Sequence, residues 1–253
     1  EKERHDYIDT MLAGFSIFAI IVCAIAAAVA PALLTLLFPA FVAQGHLPIL
    51  AEMTRIMLLQ PILLGFSNIF AAITQSKHRY LLYSLSPLLY NLGIIAGTVM
   101  LYPIFGIAGL AYGVVFGALM HAGIQVPSLI SDGFLKRLPR LYDVRALLES
   151  VTISIPRALA LSMSEIAELG LIALAGGLAA GSISIFNFAY NLQAVPLSII
   201  GASYSVAAFP GFAASLSAGK REEFLDRVAS AASQVVFWSL PATALMIVLR
   251  AHI

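Results

Sequence analysis

The chain has 253 residues, 60% of them hydrophobic and 11% charged, with a mean hydropathy of +0.95, far from a soluble globular domain, in which about a quarter of residues are charged. A net charge of +1 excludes the broad basic field by which proteins collect nucleic acid. The single cysteine, Cys23, lies inside an apolar run; it excludes a disulfide framework or a thiolate metal cluster and reads as a small packing residue.

Seven apolar stretches follow one another, at 8–37, 48–74, 80–101, 106–130, 147–177, 183–210 and 224–249. Each is long enough to supply the roughly 20 helical residues that cross a hydrocarbon core. The expected fold is therefore all-α, a polytopic integral membrane protein with seven transmembrane helices. The first stretch ends in the small-residue run AIAAAVAPA but is too long for a secretory signal, and the preceding EKERHD is charge-balanced where a signal is positive. Because the chain begins at Glu1 without Met and stops directly after a span, it is expected to be a fragment.

In the second stretch, Arg55 lies about two turns inside the outer end on a face shared with Leu59, Ile62 and Phe66. That placement suits an arginine that snorkels to the interface, unless a bend near Pro61 turns it into a cavity. The fourth carries an i, i+4 polar pair, His121 and Gln125, which reads as hydrogen-bonded structure, since no second His or Cys stands at metal-ligand spacing.

Between the fourth and fifth stretches, SDGFLKRLPRLYDVR is the densest run of charge in the chain. It divides residues 1–130, holding four spans, from residues 146–253, holding three, with 131–145 as a cytoplasmic linker. The fifth stretch carries Arg157, Ser164, Glu165 and Glu168 within roughly 100° of one another on a helix. Two carboxylates at i, i+3 in low dielectric share a proton, bind a cation or pair with a base; otherwise they sit close enough to the outer end to reach water. In the sixth, Ser184, Asn187, Asn191, Ser198 and Ser205 fall within an arc of roughly 60°. This stripe fits either hydrogen bonding between helices or the wall of a hydrophilic cavity. Pro196 implies a kink there.

Of the fourteen Lys and Arg, eleven fall at the N-terminus and in every second loop: Lys2, Arg4, Lys77, Arg79, Lys136, Arg137, Arg140, Arg145, Lys220, Arg221 and Arg227. The alternating loops PAFVAQGH, YPIF and AGGLAAGS hold none, and Arg250 ends the last span. Positive residues stay on the cytoplasmic side, so the N-terminus is expected inside and the end of the seventh span outside. No Gly-rich phosphate loop, nucleophile elbow or HExxH is present, and the loops are too short and bare for an interfacial catalytic cluster. The chain reads as a non-enzyme.

The segments running from Arg55 to Ile95 and from Gly109 to Leu129, with SP-x-x-x-N (Ser86, Pro87, Asn91), GALMHAGIQVP, IPRALALSMSEI, G-S-x-S, Pro196 and FPGF, resemble the MurJ/MviN lipid II flippases over essentially the whole chain. The resemblance implies a multidrug/oligosaccharidyl-lipid/polysaccharide exporter fold, two six-helix lobes around a central cavity. The seven spans are similar to its third through ninth, so 131–145 joins the lobes. It further implies alternating-access transport, across the bacterial cytoplasmic membrane, of an undecaprenyl-pyrophosphate-linked saccharide such as lipid II. The partners would be that lipid, the membrane lipids and a coupling sodium ion or proton, with no cofactor and no nucleic acid. Departures from the family pattern are Tyr190 and Asn191 where an Asp-Arg pair is usual, Leu171 where an acid or Asn is common, Glu165 for Gln and Arg157 for a small apolar residue. On this reading Arg55, Arg157, Ser184, Asn187, Asn191 and Ser198 line the substrate cavity, and Glu165 and Glu168 couple the ion. Alternatives are a flippase for another polyprenyl-linked polysaccharide and a non-transporting scaffold of the cell-wall machinery.

The charge asymmetry has a direct test. In a background with Cys23 replaced, cysteines at Lys77, Lys136 and Lys220 are expected to be shielded from a membrane-impermeant thiol reagent in intact cells, while cysteines at Gly45 and Gly177 label. Labelling at Lys136 from outside would overturn the orientation.

Overall fold

The computed structural model describes residues 2–135 and 139–249. Lys136, Arg137 and Arg250 lie outside the described residues. Seven helices in it are long and apolar enough to cross a membrane: His5–Leu37, Leu47–Ser76, Tyr80–Phe105, Ile107–Ser131, Val144–Gly176, Ser182–Ser217 and Arg221–Leu249. The expected all-helical, seven-span architecture is the one observed. Large apolar side chains cover the outside, with Phe18 66%, Ile104 71% and Val248 74% exposed. Such a surface is stable only against hydrocarbon, where a helix also satisfies its own backbone.

Some of these helices break at prolines and others run through them. The first span is one helix, α1 (Lys2–Leu37), with Pro31 inside it; α2 (Pro39–Ala43) follows on the loop. The second divides into α3 (Leu47–Met57) and α4 (Leu59–Ser76) just before Pro61, whose missing N–H leaves the Met57 carbonyl without its helical donor. The third runs as α5 (Tyr80–Ala96), a π turn over Gly97–Leu101, and α6 (Tyr102–Phe105). The fourth is α7 (Ile107–Gly123) and α8 (Val126–Ser131), the latter opening on Pro127. The fifth is the unbroken α9 (Val144–Gly176). In the sixth, α10 (Ser182–Pro196) passes through a π turn, Leu197–Ala202, into α11 (Ser203–Ser217). The last span is α12 (Arg221–Leu249).

Two compact units result, residues 1–177 and 178–253. Within the first, the third and fourth spans approach until their backbones touch. A Cβ built on Gly97 would lie 2.0 Å from the Gly113 Cα, and one on Gly93 would lie 2.3 Å from the Gly117 Cα. Gly93 and Gly97, like Gly113 and Gly117, are one turn apart, so each pair forms a groove that receives the other; close packing replaces the hydrophobic drive that lipid cannot supply. Leu12, Phe70, Ile73, Ala122, Leu129 and Phe134 form a buried core cluster, which ties the first, second and fourth spans to the turn that follows the fourth.

Polar contacts fix that same end. Arg79, in the second-to-third loop, pairs with Asp132 at 3.1 Å and donates to the Ser128 hydroxyl. Thr10 is fully buried; it donates to the Asp6 carbonyl at 2.7 Å and accepts the backbone N–H groups of Tyr142 at 3.1 Å and Asp143 at 3.3 Å. The Asp143 carboxylate then caps α9 by accepting the Ala146 N–H at 3.0 Å, satisfying one of the four donors a helix start leaves open. Thr10 thereby sets where the fifth span begins. In the second unit α11 packs on α12, with Phe212 and Phe224 edge to face at 6.0 Å, and Arg227 holds Glu223 at 2.9 Å one turn away.

The glycine contacts can be tested by adding a single methyl group. Gly97→Ala and Gly113→Ala are each expected to cost about 1–3 kcal/mol through overpacking against backbone that cannot yield. Gly170, with nothing within 4 Å of its added Cβ, should tolerate Ala or gain slightly. Unfolding in detergent micelles would distinguish them, and equal stability of Gly97→Ala and Gly170→Ala would show that the two helices are not held by backbone contact.

Candidate functional site

The fifth span carries the intramembrane charge. Its 33 residues make a helix about 50 Å long, well beyond the roughly 30 Å hydrocarbon core. Counting about twenty residues back from Gly176 brings the opposite hydrocarbon boundary close to Arg157. Glu168 and Glu165 then lie about 12 and 17 Å along the helix from the Gly176 end. Arg157 and Glu165 are exposed and Glu168 is half-buried. None of the three joins an ion pair among the described residues. The helix thus presents one cation and two carboxylates on a side that the rest of residues 1–177 leaves open.

In the sixth span, Ser184, Asn187 and Asn191 sit on α10, with Asn187 half-buried and the other two exposed. Ser198 falls within the π turn that follows Pro196, donating its hydroxyl to the Ala194 carbonyl at 2.7 Å. A π turn holds one more residue than an α turn, so everything past it is rotated by about 100°. Ser205, which a continuous helix would place on the stripe, is carried off it and donates to the Gly201 carbonyl at 2.7 Å. The stripe is consequently shorter than the sequence period implies and ends at Ser198.

Arg55 has a partner that sequence periodicity does not show. Its Nε donates to the Ala27 carbonyl of α1 at 3.2 Å. Ala27 is four residues before Pro31, so its carbonyl is the one that the imino nitrogen of Pro31 cannot serve. In a membrane such an orphan costs several kcal/mol, and the guanidinium of the neighbouring span fills it. The side chain itself is exposed, so Arg55 is a cross-span brace that keeps its terminal nitrogens outward.

His121 and Gln125 meet side chains of the second span. Ser67 Oγ lies 2.6 Å from His121 Nδ1, and Gln125 Nε2 donates to Ser67 Oγ at 2.7 Å. Thr74 donates to Gln125 Oε1 at 3.4 Å. Sequence reading found the His-Gln pair and missed Ser67 and Thr74, which are two turns apart on one face of α4 and were available as a matching polar pair. Among the described residues no group of three His, Cys, Asp or Glu could hold a metal ion.

A family model described as Lipid II flippase MurJ matches residues 1–253. A probable lipid II flippase MurJ of Borreliella burgdorferi is 28% identical over 152 residues, 60% of this chain and 30% of that protein. The MurJ of Burkholderia cenocepacia is 24% identical over 216 residues, 78% of this chain and 42% of its own length. A probable MurJ of Buchnera aphidicola is 25% identical over 228 residues, 88% and 44%. The chain therefore spans less than half the length of these relatives.

The brace between Arg55 and Ala27 predicts a non-additive pair of mutations. Arg55→Ala is expected to destabilise by about 1–3 kcal/mol by stranding the carbonyl. In a Pro31→Ala background, where residue 31 regains its N–H, the same substitution should cost about 1 kcal/mol less or better. Micelle unfolding of the four proteins gives the coupling; strict additivity would show that the arginine does not serve the carbonyl.

Proposed function

Because the chain belongs to the MurJ family of lipid II flippases, multi-pass membrane transporters rather than enzymes, we propose that it is part of a carrier that moves a polyprenyl-pyrophosphate-linked saccharide across the bacterial cytoplasmic membrane. The observation that supports this most is the exposed Arg157 of the fifth span, which joins no ion pair among the described residues; the polar residues Ser184, Asn187, Asn191 and Ser198 of the sixth span supply the rest of the reading. Lipid II is the substrate the family suggests. Residues 1–130 and 146–253 belong to two lobes joined by 131–145, and the carrier works by rocking them about a central cavity.

The chemistry asked of the protein is recognition only. A pyrophosphate brings at least two negative charges into a poorly solvated cavity, where a guanidinium offers paired donors in a matching fork. Arg157, near the inner boundary of the hydrocarbon, meets the headgroup as it leaves the cytoplasmic leaflet. Arg55, in the outer half, offers its outward terminal nitrogens on the other side. The serine and asparagine side chains of α10 exchange hydrogen bonds with the saccharide hydroxyls that water relinquishes. Glu165 and Glu168, two carboxylates one turn apart in the outer half, take the coupling sodium ion or proton.

Lipid retention by the full-length protein, measured by native mass spectrometry with lipid II, tests the assignment. Arg157→Ala should weaken binding by about 10- to 100-fold, the worth of a charge-assisted hydrogen-bond pair. Asn191→Arg should restore part of it, and Ser198→Leu should obstruct the path. Equal retention by wild type and Arg157→Ala would place the headgroup elsewhere. In reconstituted vesicles, Glu165→Gln combined with Glu168→Gln should remove ion-gradient dependence without loss of insertion; unchanged dependence would leave the pair as interface residues. Retained membrane insertion with no lipid II binding by any form would favour the scaffold reading, to which the substitution at Asn191 also points.

A further inference from the structure

The buried polar cluster between the second and fourth spans has a feature that simple interhelical hydrogen bonding does not require. The break between α7 and α8 removes the usual donor from the His121 carbonyl. In a continuing helix that carbonyl would accept the Gln125 N–H, but the Gln125 N–H bonds Ala122 instead, at 3.1 Å. The released carbonyl and the His121 ring both face Ser67. The Ser67 hydroxyl has one proton and two acceptors in reach, Nδ1 at 2.6 Å and the carbonyl oxygen at 3.2 Å. Its own oxygen already accepts Gln125 Nε2 at 2.7 Å, and Ser67 is fully buried, so no water competes for the hydroxyl.

We propose that His121 is a reversible proton-binding site, with the Ser67 hydroxyl as a rotor that lets it exist in both charge states. With the ring neutral and its proton on Nε2, Ser67 donates to Nδ1. When the ring takes up a proton from a hydronium ion, which leaves as water, both ring nitrogens carry N–H, and the Nδ1–H points at the Ser67 oxygen. The hydroxyl then turns to the His121 carbonyl, and no polar atom of the cluster loses its partner in either state. Histidine is the side chain whose ordinary titration falls between pH 5 and 8. A purely structural pair would need one of these two acceptors, and the helix break supplies the second.

No other ionised group is paired with His121 among the described residues. Tyr90 of α5 is in perpendicular ring contact at 6.3 Å, its hydroxyl accepting Gln60 Nε2 at 2.9 Å. Neither α4 nor α8 carries a titratable residue. On α3 stand Glu52 and Arg55, the latter committed to Ala27. Tyr80 and Tyr83 stand on α5, Tyr102 on α6 and Tyr112 on α7 itself, and α1, which meets Ala122 through Leu12, carries Asp6 and Asp9 near its start. The charge on His121 would thus be answered by hydrogen bonds and not by a counter-ion. This site stands apart from Glu165 and Glu168 and does not rest on the flippase reading.

The test is solid-state nuclear magnetic resonance of the full-length protein, labelled with nitrogen-15 histidine, in lipid nanodiscs without substrate. The His121 signals are assigned by their loss in His121→Gln. The expected result is a single reversible passage from one N–H to two as the pH is lowered from 8 to 4, with Nδ1 hydrogen-bonded throughout. At the wild-type midpoint, Ser67→Ala should hold about tenfold less of the protonated form, because a charge-assisted bond is lost; Ser67→Thr, which keeps the rotor, should match wild type. His121 remaining in one neutral tautomer across that range would overturn the proposal. So would a midpoint that Ser67→Ala leaves unmoved, and Ser67→Thr behaving as Ser67→Ala does would exclude the rotor.

Discussion

In hydrocarbon, a backbone carbonyl that loses its helical donor cannot turn to water, and the structure is organised around the places where this happens. Pro31 strands the Ala27 carbonyl, and Arg55 reaches across from the second span to fill it. The break ahead of Pro127 frees the His121 carbonyl, which Ser67 and Gln125 occupy at 3.2 and 3.4 Å. After Pro196 the turn widens, and the hydroxyls of Ser198 and Ser203 bond the Ala194 and Ser198 carbonyls at 2.7 and 3.3 Å. Each discontinuity thus draws a polar side chain to a defined depth, and those side chains are the ones with chemistry to offer.

This explains what the sequence made legible. Seven spans are visible because hydropathy is a sum over about twenty residues, and no local detail can hide it. Pro61 and Pro196 mark breaks because the missing N–H is a property of the residue itself. Arg55 is different: its identity as a polar residue in an apolar span is plain, but its partner is 28 positions away and is picked out only by knowing that residue 27 is the one Pro31 leaves open. The π turn after Pro196 was not legible in the sixth span, since it resets the angular count without any composition change to announce it.

The helix pairings were less legible for a related reason. Gly93, Gly97, Gly113 and Gly117 are spaced one turn apart within each span, so a packing face is available in the sequence. What pairs these two faces, and not others, is the touching of backbone on backbone, which no pattern within one span specifies. Ser67 and Thr74 on one span and His121 and Gln125 on another obey the same rule. Each pair is regular on its own helix, and only the approach of the helices turns two ordinary polar pairs into a buried cluster.

The candidate transport residues differ from these in one respect that bears on function. Arg55, Ser67, Gln125 and Thr74 hydrogen-bond across spans, and so they hold the first, second and fourth spans in register. Arg157, Glu165, Asn187 and Asn191 make no side-chain hydrogen bond or ion pair among the described residues and sit on helices long enough to cross a membrane. A side-chain donor placed across two spans satisfies a carbonyl only while those spans stay together, so separating the first span from the second would expose Ala27 at a cost of several kcal/mol. Spans joined by such braces move as one body.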